Sequence, residues 1–194
     1  MVKLYLLLLA LLVAERIFEI RLSRRNARQA RERGAVEAGA AHYPAVVALH
    51  TLFLVSCLVE PVMLLRRPWP VASVIALGIV VAAQALRYWA VFTLGERWNV
   101  RILVIPGAQP VTSGPYRFVR HPNYVAVALE IAFFPLITGA WITAVLFSLA
   151  NFALLRVRIR EEEAALGDEW ASSFADKPRF LPTELPISDT EDPP

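Results

Sequence analysis

Residues 124–157 read YVAVALEIAFFPLITGAWITAVLFSLANFALLRV, with Glu130 the one charge before Arg156. As a single helix this run would be about 51 Å long, against roughly 30 Å for the hydrocarbon core of a bilayer. Pro135 and the pair Thr138-Gly139 sit at its middle, where a chain turns most easily. The stretch is therefore expected to be a helical hairpin of two membrane spans. Three further apolar runs lie upstream. Residues 2–20 carry LYLLLLALLVA and then ERIFEI; residues 44–65 have only His50 and Glu60 as strongly polar members; residues 69–94 are interrupted by Gln84 and Arg87. Each approaches the roughly 20 residues a crossing needs. The sum is about five transmembrane helices, the last two a hairpin, in an all-α integral membrane protein. No segment carries sustained strand alternation.

Composition points the same way. The apolar set makes up 57% of the 194 residues and charged residues 19%, with a mean hydropathy of +0.49. A soluble domain has roughly 45–50% apolar residues even with Gly counted, and here too little polar surface remains to cover such a core in water. The first run is expected to be retained rather than cleaved, because Glu15, Arg16 and Glu19 stand where a signal peptide would carry small residues. The single cysteine excludes an intramolecular disulfide and a Cys-cluster metal site. His42 and His50 lie in segments apart from His121, so no converging three-ligand set is expected and no metal is assigned.

Of the 20 basic residues, 18 are Arg, and their placement orients the chain. Arg21, Arg24, Arg25, Arg28, Arg31 and Arg33 follow the first run. Arg97, Arg101, Arg117 and Arg120 follow the third, and Arg156, Arg158, Arg160, Lys177 and Arg179 follow the fifth. The other side receives Lys3, Arg66, Arg67 and an uncharged turn near Gly139. The positive-inside rule puts the N-terminus outside and the C-terminus in the cytoplasm. The first basic loop reads either as a solvated topogenic loop or as one lying on anionic headgroups. The tail TELPISDTEDPP, 183–194, is acidic and Pro-rich and is expected to be disordered beyond a single domain of 1–182.

Polar residues gather on the cytoplasmic side in two stretches. One is GERWNVRILVIPGAQPVTSGPYRFVRHPNY, 95–124; the other is RVRIREEE, 156–163, at the inner end of the fifth span. A hairpin of the last two spans brings both to one membrane face. Alone, Arg158 and Glu162 read as an i,i+4 surface pair worth a few tenths of a kcal/mol, and His121-Pro122 as a helix start with Pro at its first position. Together they make a polar pocket at a lipid boundary, where charges are functional candidates. No glycine-rich dinucleotide fingerprint follows a strand and no P-loop is present. Gln84, Arg87, His50 and Glu60 read equally as a lipid-side entrance or as interhelical hydrogen bonds.

These stretches resemble the isoprenylcysteine carboxyl methyltransferase family, in which a G-x-Y-x-x-x-R-H-P-x-Y segment and a later R-x-x-x-E-E segment build the cofactor site. The first matches Gly114, Tyr116, Arg120, His121, Pro122 and Tyr124; the second matches Arg158, Glu162 and Glu163, with Glu161 leaving the register open by one. The resemblance covers about 95–182, including the closing PRFLP. The stretch 15–50 is similar to a bacterial branch implicated in methylating alkylpyrones and alkylresorcinols, and departs from the eukaryotic enzymes with their extra N-terminal spans. The resemblance implies transfer of a methyl group from S-adenosylmethionine to an oxygen, carboxylate or enol/phenol, of a lipophilic acceptor resident in a bacterial inner membrane, with no nucleic-acid partner. It implies cofactor contacts from Tyr116, Arg120, His121, Pro122, Asn123, Tyr124, Glu162 and Glu163. Arg158, Glu162 and Glu163 would act at the reaction centre, Arg158 holding an acceptor oxyanion. The competing classes are a phospholipid N-methyltransferase, an NADPH-dependent membrane reductase of sterol type that shares the RHPNY string, and a non-catalytic membrane scaffold.

Overall fold

The computed structural model describes residues 2–180, so the expected disordered tail at 183–194 lies outside the described residues. The described chain is mostly helical, with α1 (Val2–Glu32), α2 (Tyr43–Met63), α3 (Pro70–Leu94), α4 (Pro122–Phe133) and α5 (Trp141–Ser173). The 124–157 run breaks where its prolines and glycine predict. α4 ends at Phe133, a 3-10 turn covers Pro135–Thr138, and Gly139 takes the left-handed conformation at φ 75°. A Cβ at Gly139 would sit 3.3 Å from the Arg67 carbonyl oxygen, so the turn is both strained and crowded for any other residue.

Helices are not quite the whole structure. Val36–Ala38 (β1) and Ile102–Val104 (β2) pair antiparallel, with Glu37 opposite Leu103. Arg101 and Arg31 both bind the Glu37 carboxylate, and the Arg101 hydrogen bond, with Arg31 beside it, holds Glu37 below its ordinary pKa. Ser23 and Asn99 exchange hydrogen bonds, 2.7 Å from the Ser23 hydroxyl and 3.0 Å from the Asn99 amide. Asn26 donates to the carbonyls of Gly95 and Trp98. The far half of α1 is thus fastened to the loop after α3, and the basic ends of α1, α3 and α5 lie at one end of the bundle.

Among the described residues, three helices are long and apolar enough to cross a membrane: Ala40–Met63, Pro70–Arg97 and Trp141–Ser173. α1 misses that test because Lys3, Glu15, Arg16 and Glu19 interrupt its apolar run, and Pro122–Thr138 is shorter than the other three. The charges of α1 turn inward. Arg87 lays its guanidinium on Glu19 at 2.5 and 2.8 Å, and Arg16 bridges Glu19 and Glu130 at 2.6 Å each. Gln84 donates to Glu15 at 2.7 Å and to Glu130 at 3.0 Å. Gln84 and Arg87 therefore make interhelical hydrogen bonds, while Gln84 and Glu15 also edge an apolar groove between α1 and α3. Small residues let α3 approach α4 closely: Ala76, Ala83 and Ala90 are buried at seven-residue spacing, facing a helix whose Ala126 and Ile131 are also buried.

Glu60 closes the other end. It accepts from the Ile142 N–H at 3.2 Å and from the Thr143 N–H and hydroxyl at 2.6 and 2.7 Å, and Arg66 donates to it at 3.0 Å. These are N–H groups that the first turn of α5 cannot satisfy internally, and a carboxylate there also meets the positive end of the helix dipole. Nearby, Pro61 has no N–H for the Cys57 carbonyl, and the Tyr5 hydroxyl donates to that carbonyl instead at 2.8 Å. Glu60→Ala strands several donors at once. It is expected to lower stability by about 3 kcal/mol, read as a fall in thermal unfolding temperature in detergent, with Glu60→Gln much milder.

Candidate functional site

The basic end of the bundle encloses a cavity of about 630 Å³. One wall is apolar, built from Leu94, Leu103, Val104, Ile105 and Leu166; the other carries Arg120, His121, Asn123, Tyr124, Arg158 and Glu162. The polar wall is assembled where α4 begins and where α5 emerges. Pro122 at the first position of α4 fixes its start, so His121 and Tyr124 fall on the side toward α5. On α5, Arg158 and Glu162 are one turn apart and share a face.

Tyr124 is the joint between the two helices. Its hydroxyl accepts from Arg158 Nε at 2.9 Å and donates to Glu162. Arg158 Nη2 also donates to the Val100 carbonyl at 2.5 Å, which ties the loop before β2 to the same point. The imidazole of His121 is stacked against Tyr124 with ring centroids 5.3 Å apart and tilted against Trp170 at 5.6 Å. Its Nε2 lies 3.1 Å from Glu163, which makes that nitrogen the donor, and its Nδ1 lies 4.0 Å from Glu162. Tyr116 is buried at the cavity wall, where burial and then the negative Glu162 hold its phenol well above its ordinary pKa. It is therefore present as the neutral phenol.

The three consecutive glutamates part company. Glu161 is exposed, Glu162 lines the cavity, and Glu163 turns toward His121 and Arg179. Of the sequence candidates, Tyr116, Arg120, His121, Asn123, Tyr124, Arg158 and Glu162 lie on the cavity wall; Pro122 and Glu163 stand behind it. Gly114 serves the loop. Its φ is +56°, and a Cβ there would stand 2.3 Å from the Thr93 hydroxyl, so only glycine lets the motif loop close onto α3. Reading the sequence alone passed over Trp98, Gln109 and Glu169 in the same wall. Gln109 donates to Glu169 at 2.7 Å and joins the outer loop to α5, a contact with no sequence motif to announce it.

A family model described as isoprenylcysteine carboxyl methyltransferase matches residues 74–168, the span from α3 through both motif stretches. An uncharacterized protein, YpbQ, of Bacillus subtilis is 41% identical over 160 residues, covering 82% of this chain and 95% of that one. The chain belongs to the isoprenylcysteine carboxyl methyltransferase family. The protein-S-isoprenylcysteine O-methyltransferase of Schizosaccharomyces pombe is 27% identical over 136 residues, 69% of this chain and 58% of that one. The human enzyme of the same name is 31% identical over 122 residues, 59% of this chain and 41% of that one. Membership in this family makes the protein a membrane methyltransferase, with its family-matched segment wrapped around the cavity.

Proposed function

We propose that the protein transfers the methyl group of S-adenosylmethionine to an oxygen of a lipophilic acceptor, at the cytoplasmic face of a bacterial inner membrane. The observation that carries this reading is the meeting of His121 and Tyr124 with Arg158 and Glu162 on one cavity at the basic end of the bundle. A charged nucleoside from the cytosol and a greasy acceptor from the bilayer need a pocket open to both. The donor set fits the cofactor: Glu162 offers a carboxylate to an ammonium or ribose hydroxyls, and the apolar wall offers a surface for a purine. Trp98 and Asn123 each keep a buried polar atom with no partner among the described residues, although they belong to the cavity wall.

S-adenosylmethionine supplies a methyl group on a sulfonium sulfur, which leaves as a neutral thioether when an oxygen lone pair displaces it in line. The protein's part is positioning and charge. Arg158, braced by Tyr124 and Val100, holds an acceptor carboxylate or enolate with its guanidinium. A carboxylate acceptor has no proton to lose; an enol or phenol binds as its oxyanion, its proton having gone to water before the methyl group moves. The relatives named for isoprenylcysteine act on a prenylated carboxylate, and that chemical class sits within this reading.

Five spans are part of the proposal. α1 presents Leu4, Leu7, Leu11 and Phe18 outward while its charges face α3 and α4, so a lipid environment suits it. α4 with its 3-10 turn reaches about 26 Å by its rise per residue. The clustering of arginine at the cavity end supports a cytoplasmic cavity and an outer Gly139 turn in this reading, by the positive-inside rule. The test is a calorimetric titration of the detergent-purified protein with S-adenosylhomocysteine. His121→Ala and Glu162→Gln are each expected to weaken binding by about 10- to 100-fold, the worth of a charge-assisted hydrogen bond or two. Unchanged affinity in both variants rejects the assignment, and NADPH consumption by the wild type would establish the reductase class instead.

A further inference from the structure

The chain does not leave the site when α5 ends. α5 is kinked at Gly167, and beyond Ser173 residues 174–177 turn so that residues 178–179 run beside 120–121. The Arg120 N–H donates to the Pro178 carbonyl at 3.0 Å and the His121 N–H to the Arg179 carbonyl at 3.2 Å. Arg120 Nε donates to the Lys177 carbonyl at 2.6 Å. The turn is anchored by Phe174, fully buried against Trp170 with centroids 4.8 Å apart. This strap satisfies the two backbone donors that immediately precede α4.

At the strap's end Arg179 forks onto Glu163, Nε to Oε1 at 3.0 Å and Nη2 to Oε2 at 2.7 Å. Oε1 also takes the His121 Nε2–H. Both oxygens of Glu163 are therefore held by protein, which explains why Glu163 stands behind the cavity wall and Glu162 in it. We propose that Arg179 is a positioning residue: it grips the carboxylate that fixes the His121 ring in its Nε2–H tautomer, leaving Nδ1 as the acceptor on the cavity side. The inference rests on the cavity being the S-adenosylmethionine site, and the family-matched segment ends at residue 168, before the strap. A role in stability is a poor rival account, because the Arg179 side chain is 57% exposed and exposed pairs contribute little.

Nitrogen-15 NMR of imidazoles in detergent-purified protein tests this without any ligand, and with three histidines in the chain the signals are assignable from His42 and His50 variants. Wild type is expected to show His121 as the Nε2–H tautomer, Arg179→Gln to show it lost to exchanging forms, and Arg179→Lys to restore it in part. In parallel, Arg179→Gln is expected to weaken S-adenosylhomocysteine about tenfold, and the Glu163→Gln/Arg179→Gln pair to lose no more than the worse single variant. An Arg179→Gln protein that keeps the wild-type tautomer overturns the proposal, whatever its affinity. A wild type that shows the tautomer and its loss in Arg179→Gln, yet binds no S-adenosylhomocysteine, upholds the strap and refutes the donor reading.

Discussion

Arg158→Lys is expected to cut methyl transfer by about 10²- to 10³-fold, the cost of removing one preorganised electrostatic group from a reaction centre. The substitution keeps the charge and removes the fork. Arg158 spends Nε on the Tyr124 hydroxyl and Nη2 on the Val100 carbonyl, so its position is fixed from two sides before any acceptor arrives. A lysine ammonium is a single mobile point charge and cannot make both bonds while still meeting an oxyanion. The measurement is incorporation of radiolabelled methyl from S-adenosylmethionine into a total lipid extract by membranes carrying each variant. A drop in rate with near-normal affinity for S-adenosylhomocysteine places Arg158 on the acceptor; an equal loss of both places it on the donor.

The second large effect lies inside the bundle. Arg87→Leu leaves Glu19, buried among α1, α3 and α4, with Arg16 as its one ion-pair partner among the described residues. Breaking a buried pair by removing one partner costs about 3–5 kcal/mol, whereas replacing both by apolar residues is often neutral. Arg87→Leu is therefore expected to lower the unfolding temperature sharply or abolish folded expression, and Glu19→Leu/Arg87→Leu to recover most of the loss. A double variant no better than the single one would mean that the guanidinium serves chiefly as packing rather than as a counter-ion.

The apolar runs made the helices legible, and Pro135 with Gly139 made the hairpin turn legible, because length and turn chemistry are local properties. The meeting of the 114–124 loop with the 156–163 helix end followed from that hairpin. The parts that were not legible are the non-local ones. Three-residue strands such as Val36–Ala38 are too short to show a period. Ala76, Ala83 and Ala90 spell a close helix contact only once a partner helix is known. Which of Glu161, Glu162 and Glu163 faces the cavity depends on how α5 is rotated against α4, which a motif cannot specify. The closing PRFLP stood in plain view, but nothing local says that Arg179 folds back onto a carboxylate sixteen positions earlier.

The Glu60 contact has a mechanical side. It pins the first turn of α5, while Arg158 rides on the same rod about 24 Å along its axis. Pivoting the rod by about 5° at that pin would swing the guanidinium by roughly 2 Å, and even 1 Å of misplacement can slow a reaction about a hundredfold. The pin at one end of the rod is thus the fulcrum for the side chains that line the cavity at the other.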